Sequence, residues 1–211
     1  MNLHKTKMFA DSWNVAYRIK NSDIIHDKES PFIVVENAPH CWAADPFIIE
    51  RCGKTYIFAE LYGIVKGRGV IGYYELTPEE SKWKPVIIEP WHLSYPYIYC
   101  ENNDIYMIPE ANESKTLYCY RAIKFPDQWE RLAPIRENVR YVDTSLFKWN
   151  GKEMALTYQI IDKDHYKLLL LDLILMKCLF DLNLSHISID NILYYLYLKL
   201  FHFLQSQEIF P

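Results

Sequence analysis

The segment Asp45-Pro-Phe-Ile-Ile-Glu-Arg-Cys-Gly-Lys-Thr-Tyr-Ile-Phe-Ala-Glu60 occurs in three related copies, and this repeat decides the fold. The second copy is Tyr95-Pro-Tyr-Ile-Tyr-Cys-Glu-Asn-Asn-Asp-Ile-Tyr-Met-Ile-Pro-Glu110, and the third is Asp143-Thr-Ser-Leu-Phe-Lys-Trp-Asn-Gly-Lys-Glu-Met-Ala-Leu-Thr-Tyr158. The sixteen positions align without a gap, and the copies begin 50 and then 48 residues apart. A period of about fifty residues built from short strands is typical of β-propeller blades. The residues that open the copies are therefore predicted to meet at a central funnel.

Each copy has the pattern of a β-hairpin, and the third turns at Asn150-Gly151, the strongest two-residue hairpin signal. Fourth strands are predicted near Trp83 and Trp129, whereas no tryptophan leads a fourth strand in the third copy. The predicted third strands cover residues 70–76, 116–122 and 165–172. Four strands make one blade. We therefore expect an all-β chain that resembles a five-bladed propeller, with about three blades present.

The C-terminal segment has a different composition. All six glycines and all six tryptophans precede residue 152, whereas residues 168–211 contain fourteen leucines. Charged residues interrupt every apolar stretch before it reaches the roughly twenty residues of a transmembrane helix, so no membrane span is expected. We expect a lead-in and strand at 1–31, propeller blades at 32–172 and an atypical Leu/Ile/Tyr-rich tail at 173–211. A truncated propeller with a frameshifted tail is the favoured interpretation, and a helical cap over an open sheet edge is the alternative.

The net charge and the cysteine content limit the partners and the cellular compartment that we expect. The formal net charge is −4 and Lys and Arg are not clustered, so no nucleic-acid partner is expected. The five cysteines are odd in number and lack CxxC spacing, as in reduced, apolar residues of an intracellular protein. The N-terminus has no apolar core of signal-peptide length, so we expect a cytoplasmic protein. We expect no metal and no cofactor.

Asp45 and Asp143 are the first candidate site residues. Each opens a repeat, and Pro46 fixes the backbone immediately after Asp45. Two carboxylates across an opening suit glycoside chemistry, in which one acts as base or nucleophile and others bind hydroxyls or tune acidity. The alternative is that each aspartate only accepts backbone hydrogen bonds at the turn before a strand.

Glu60 and Glu110 end the first and second copies within apolar strand patterns, where a buried carboxylate needs a partner. Arg121, Lys66 or Arg68 are the expected partners in a stabilising ion pair. Glu110 is also the remaining candidate for a catalytic acid.

Aromatic residues supply the remaining candidates. Trp91 and His92 lie just before the second copy, Tyr95 opens it, and Trp42 lies before the first copy. An aromatic ring beside an imidazole suits stacking on a sugar and hydrogen bonding to its hydroxyls, although core packing would explain the same rings. The glycine-rich loop at 63–69 opens no helix, so we expect a flexible rim rather than a phosphate-binding loop.

These residues also resemble a known family. The motifs Trp42-Ala-Ala-Asp-Pro-Phe47, Phe58-Ala-Glu60, Pro90-Trp-His-Leu-Ser-Tyr-Pro-Tyr97, Ile105-Tyr-Met-Ile-Pro-Glu110 and Val142-Asp-Thr-Ser-Leu-Phe147 resemble the N-terminal propeller domain of glucosamine inositolphosphorylceramide transferases and of bacterial relatives in surface-glycan synthesis. That domain is in turn similar to the five-bladed propellers of glycosidase families 43 and 32. By position, Asp45 and Asp143 match the aspartates that act in catalysis or tune the acid there. The glycosidases' later acidic residue and the transferase's catalytic domain have no counterpart in this sequence.

Two functions follow from the resemblance. The first is a carbohydrate-recognising module that works with a glycosyltransferase on a sugar or glycoconjugate. The second is a glycosidase or transglycosidase that uses Asp45 and Asp143, with Glu110 as the acid. A third carboxylate able to act as an acid distinguishes the two.

Overall fold

The computed structural model of the chain describes residues 12–19, 30–77, 81–172 and 177–182, and in these residues it is all-β apart from one 3₁₀ turn, Asn112–Ser114. The strands, in chain order, are β1 (Ala16–Tyr17), β2 (Ile33–Val34), β3 (Cys41–Arg51), β4 (Lys54–Gly63), β5 (Arg68–Leu76), β6 (Lys84–Ile87), β7 (Ser94–Glu101), β8 (Asp104–Glu110), β9 (Thr116–Leu117), β10 (Tyr120–Lys124), β11 (Gln128–Arg131), β12 (Arg136–Glu137), β13 (Tyr141–Trp149), β14 (Lys152–Ile160), β15 (Tyr166–Asp172) and β16 (Lys177–Leu182).

Three four-stranded sheets follow one another along the chain. Their strand orders are β3-β4-β5-β6, β7-β8-β10-β11 and β13-β14-β15-β16, and we call them the first, second and third sheet. Two small sheets, β1-β2 and β9-β12, accompany them. The prediction that each sixteen-residue copy forms the first hairpin of a four-stranded sheet is confirmed.

The structure differs from the predicted strands in three places. β3 begins at Cys41, so Asp45 lies within the strand rather than at its start. The strand predicted at 116–122 is divided, because β9 pairs with β12 while β10 joins the second sheet. β16 adds a fourth strand to the third sheet, and no sequence signal marked it, because neither a tryptophan nor a glycine or proline turn precedes it. The other expectations for the tail lie outside the described residues.

The core explains why β4 is apolar on both faces. Tyr56 and Phe58 belong to a cluster that continues into the second sheet through Leu93 and Met107. The alternate residues of β4 face a second cluster with the N-terminal strands, formed by Val15, Val35, Ala43, Ile57, Ala59 and Leu61. Successive side chains of a strand point to opposite faces, so the first sheet is covered on both sides.

The chain divides within β13 into two compact units, residues 1–145 and 146–211. In the second unit, Met154, Ala155 and Leu171 are fully buried along the hairpin of β14 and β15. No helix in the described part of the chain is long and apolar enough to cross a membrane. Cys41, Cys52, Cys100 and Cys119 are free thiols, and Cys178 lies outside this description. Of these four cysteines only Cys119 is buried, so the prediction of apolar, packed cysteines holds for Cys119 alone.

Close packing inside the first sheet yields a stability prediction. A Cβ atom at Gly72 would meet Leu61 Cδ1 at 2.2 Å and the carbonyl oxygen of Lys84 at 2.8 Å, so part of the clash is with backbone. We expect Gly72→Ala to lower the free energy of unfolding by about 1–3 kcal/mol through overpacking, measured by urea denaturation. Gly63→Ala is the matched control, because its Cβ would meet nothing closer than 3.9 Å. Equal stability of the two variants would contradict the packing of β4 against β5.

Candidate functional site

Asp45, Tyr95 and Asp143 share an uncommon backbone conformation. Their φ angles are +51°, +43° and +53°, in the left-handed region that non-glycine residues seldom adopt. Around the first two, the hairpin register shifts, between Ala44 and Phe47 and between Ser94 and Tyr97. Such an unpaired residue turns its side chain away from the regular alternation of the strand. Asp45 and Tyr95 are therefore each held in a bulge of the first strand of their sheet, and Asp143 shares their backbone conformation.

The residues that open the three copies lie side by side. The ring of Tyr95 meets the ring of Phe47 edge-on at 4.9 Å, and its hydroxyl lies 2.8 Å from Ser145 Oγ, two residues after Asp143. Burial, followed by the charge of Asp45, raises the pKa of Asp143, so the two aspartates lie within electrostatic reach. The prediction that the opening residues of the copies become neighbours is confirmed.

Glu60 lies on β4 opposite Ala44 and is only 5% exposed. Its Oε1 atom is buried without a hydrogen bond, although His92 Nε2 lies 3.3 Å away. Burial raises the pKa of Glu60 to about 7, and the charges of Asp45 and Glu110 add to the shift. Glu60 is therefore a desolvated carboxyl group with an unused acceptor atom beside Asp45.

His92 and Gly69 form the wall behind Glu60. His92 Nδ1 accepts a hydrogen bond of 3.0 Å from the amide of Gly69, so in the neutral ring the proton resides on Nε2, towards Glu60. Burial lowers the pKa of His92, which favours that neutral form. A Cβ at Gly69 would lie 2.5 Å from Glu60 Oε1, so only glycine leaves room for the carboxylate. Gly69, counted in the sequence among the glycines of a rim loop, therefore belongs to the site.

Glu110 and Asp143 form a directly coupled pair. Asp143 is among the causes that raise the pKa of Glu110, so the two carboxyl groups lie within electrostatic reach of each other. Asn112 Nδ2 donates a hydrogen bond to Glu110 Oε1. Burial raises the pKa of Glu110 to about 7; the bond from Asn112 opposes this shift, and Asp143 adds to it. Neither glutamate has the cationic partner expected from the sequence.

Two of the three expected cations, Arg121 and Arg68, make other contacts in the described structure. Arg121 pairs with Glu130, and Arg68 donates to the carbonyl of Pro90. No group of three or more His, Cys, Asp or Glu in the described ranges has a metal-binding arrangement. Asp45, Glu60, Glu110 and Asp143, here called the carboxylate cluster, thus meet with little compensation of their negative charge.

The aromatic candidates separate into two groups. Trp42 stacks on Tyr62 with ring centres 4.6 Å apart, and it borders the same cleft as Asp45 and Glu60. Trp91 instead stacks on Tyr118, with the guanidinium of Arg131 over its ring, and packs against the core. The structure places Trp42 at the carboxylate cluster and favours the packing interpretation for Trp91.

Sequence reasoning missed two residues that orient the site. Tyr62 is the register partner of Trp42, so hairpin pairing would have pointed to it. Asn112 holds Glu110 from the 3₁₀ turn, and no sequence signal marks it.

The spacing Asp162-Lys163-Asp164 suggests a metal motif, but Asp162 Oδ1 accepts hydrogen bonds from the amides of Asp164 and His165 in an exposed turn. That aspartate has a structural role in the turn.

Comparison with known proteins places this chain in a family. A family model described as "Glucosamine inositolphosphorylceramide transferase 1, N-terminal" matches residues 9–173. The chain belongs to this family. Glucosamine inositolphosphorylceramide transferase 1 of Arabidopsis thaliana is 33% identical over 130 residues, and that of Oryza sativa subsp. japonica is 34% identical over 116. The alignments cover 60% and 54% of this chain but 16% of each relative, so the chain spans about one sixth of their length.

A solved structure supports the fold. The α-L-arabinofuranosidase from Lactobacillus brevis superposes with a TM-score of 0.50 at 14% identity, covering 68% of this chain and 54% of that one. At this identity the likeness concerns the fold alone. It shows that this chain shares the fold of that enzyme over the superposed part.

The raised pKa of Glu60 predicts how stability depends on pH. Its carboxyl group titrates near pH 7 in the folded chain and near 4.5 when unfolded, so the folded state binds more protons between these values. We therefore expect the free energy of unfolding to fall as pH rises from about 4.5 to about 7, with Glu60 contributing roughly 1–3 kcal/mol. Urea denaturation at pH 5 and pH 8 measures this.

Glu60→Gln should reduce the difference between the two pH values, and Glu101→Gln, an exposed substitution in the β7–β8 turn, should not. An unchanged pH dependence in Glu60→Gln would show that Glu60 titrates normally.

Proposed function

We propose that this domain is a carbohydrate-recognising module of a glycosyltransferase system in glycan or glycolipid synthesis. Membership of the transferase's N-terminal family supports the link to that system. The carboxylate cluster supports sugar recognition, because it gathers acceptor oxygens from the first two sheets and β13 at one opening. Sugar hydroxyls are donors that pair well with such acceptors.

The observation that carries the proposal is the buried pair of Glu110 and Asp143, in which burial and the neighbouring Asp143 raise the pKa of Glu110 to about 7, so that this pair holds one proton over part of the neutral pH range. A carboxyl pair with one proton offers both a donor and acceptors, and a sugar hydroxyl likewise donates and accepts. Tyr95, beside the pair, adds a hydroxyl that is held by Ser145. This combination suits neutral polyhydroxylated ligands better than anions.

We further propose that the sheets belong to a five-bladed propeller, which the likeness to the arabinofuranosidase supports at the level of fold. The aligned region makes up only 16% of the relative from Arabidopsis thaliana, so a glycosyltransferase partner or domain is the expected companion. In this arrangement the module would hold a sugar or glycoconjugate while the transferase acts on it.

Loss of either aspartate should weaken sugar binding while the fold survives. In Asp45→Asn or Asp143→Asn, unpaired polar groups should reduce binding by about 1–3 kcal/mol. Calorimetry against a panel of mono- and oligosaccharides measures this, first with the chain itself. Circular dichroism of each variant reports the fold.

Asp104→Asn, at the exposed β7–β8 turn, is the matched control and should bind like the unaltered chain. Unchanged binding in both site variants would assign the aspartates to the backbone of their bulges. Unfolding of either variant would likewise assign that aspartate a structural role.

A glycosidase or transglycosidase is the second candidate, and the pKa of Glu110 favours it. A carboxyl group with a pKa of about 7 is suited to donate a proton to a leaving oxygen near neutral pH. Asp45, close enough to influence Asp143, would then serve as base or nucleophile.

Hydrolysis of nitrophenyl glycosides tests this function. If it holds, Glu110→Gln should reduce the turnover of alkyl glycosides much more than that of nitrophenyl glycosides, because nitrophenolate is a better leaving group and needs less proton donation. A rate for the unaltered chain no higher than that of Asp45→Asn would exclude the glycosidase and leave the binding module.

A further inference from the structure

A cleft of about 490 Å³ lies between the N-terminal segment 13–16, here called the strap, and the start of β3. The residues that line it include Trp13 and Asn14 from the strap and Trp42, Asp45 and Glu60 from the first sheet. The strap is therefore one wall of a cleft that contains two members of the carboxylate cluster. It precedes the first sixteen-residue copy, so the repeat did not point to it.

One side chain, Asn37, joins the two walls. Its Nδ2 group donates hydrogen bonds to the carbonyl oxygen of Trp13 and to Oδ1 of Asn14, each 2.7 Å long. Its Oδ1 atom accepts a hydrogen bond of 3.1 Å from the amide of Ala43 in β3. Both ends of one rigid amide group are used, so Asn37 fixes the distance between the strap and β3.

The inner end of the strap has its own anchor. The carbonyl oxygen of Val15 accepts a hydrogen bond of 2.8 Å from the amide of Val35, and both valines are buried in the cluster that packs against the first sheet. Trp13 lies beyond this anchor and is 61% exposed. The position of Trp13 therefore depends on the bond from Asn37.

The two tryptophans of the cleft differ in what holds their rings. Trp42 stacks on Tyr62, with ring centres 4.6 Å apart, and this contact covers one of its faces. Trp13 stacks on no ring among the described residues, so its indole is available to a ligand. An aromatic ring beside carboxylate acceptors suits a sugar, because the ring packs on C–H groups while the acceptors bond to hydroxyls.

We propose that Asn37 is a positioning residue that holds Trp13 at the mouth of this cleft, where the indole ring contacts the bound sugar. Without the bonds from Asn37, the outer end of the strap would have to be ordered each time a ligand binds, and that ordering reduces affinity. This inference rests on the proposed function and adds Trp13 and Asn37 to its site.

Asn37→Asp isolates the two bonds to the strap. The carboxylate keeps an acceptor for the amide of Ala43, but it has no donor and repels the two oxygens of Trp13 and Asn14. We expect NMR order parameters of about 0.85 for the amides of Trp13 and Asn14 in the ligand-free chain, and values below about 0.6 in the variant. Unchanged order parameters would show that Asn37 does not hold the strap.

Asn103→Asp, in the exposed β7–β8 turn, is the matched control for this measurement. The described hydrogen bonds of Asn103 use only its oxygen atoms, which accept from Arg51. The order parameters of the strap should therefore stay unchanged in this variant.

Calorimetry with a sugar panel that includes glucose, galactose and cellobiose tests the contact with sugar. Trp13→Ala and Asn37→Asp should each weaken the tightest-binding sugar by about tenfold. The double variant should bind no more weakly than Trp13→Ala, because Asn37 acts through Trp13. Trp13→Tyr should retain most of the binding, and Trp149→Ala, an exposed tryptophan outside the site, should retain all of it.

The same titrations separate this inference from the proposed function. Additive losses in the double variant, or normal binding by a folded Asn37→Asp, would overturn the positioning role. If a sugar binds, and its binding depends on Asp143 but on neither Trp13 nor Asn37, the module stands and the strap is only structural. If no sugar of the panel binds, both proposals fail.

Discussion

The left-handed backbone at Asp45, Tyr95 and Asp143 is the constraint on which the rest of the site depends. A non-glycine residue in this region costs on the order of 1 kcal/mol or more, so the surrounding hairpin must compensate for it. In the first sheet, nine register pairs between β3 and β4 flank the bulge and hold it. The bulge in turn moves Asp45 out of the strand's alternation. Because the same deviation recurs in each copy, three first strands bring their opening residues together.

The close approach of these carboxyl groups has an electrostatic cost, and the fold does not remove it. Glu60, Glu110 and Asp143 all have raised pKa values, each with burial as the largest cause and a neighbouring carboxylate as a further one. The second cause persists because the local cations are engaged elsewhere. Gly69 allows this arrangement sterically, because its missing side chain leaves space for the carboxylate of Glu60. Stability alone would not favour a carboxylate at that buried position. Destabilised, uncompensated groups of this kind are typical of sites shaped for a ligand.

The sequence predicted the sheets because their signal is local and repeated. Hairpins at Arg51–Lys54, Glu101–Asp104 and Asn150–Gly151 needed only strand alternation and turn residues. It also identified all four members of the carboxylate cluster from their equal positions in the copies. The partners were harder to predict, because Glu60 meets His92 across two sheets, and Arg68 bonds to a carbonyl that no motif marks. β16 was missed for a different reason: Lys177-Cys-Leu-Phe-Asp-Leu182 shows no strict alternation, and no glycine or proline turn marks its start.

The hydrogen bonds of Glu110 bear on the choice between binding and catalysis. Its Oε1 atom accepts a hydrogen bond from Asn112 Nδ2, and burial raises the pKa of its carboxyl group to about 7. The neighbouring Asp143 adds to this shift, so ionisation of both groups would place two negative charges close together with little counter-charge. A general acid must release its proton to the substrate, and at this position the release carries that electrostatic cost. A binding site has no such step, because Glu110 keeps its proton while a hydroxyl group bonds to it.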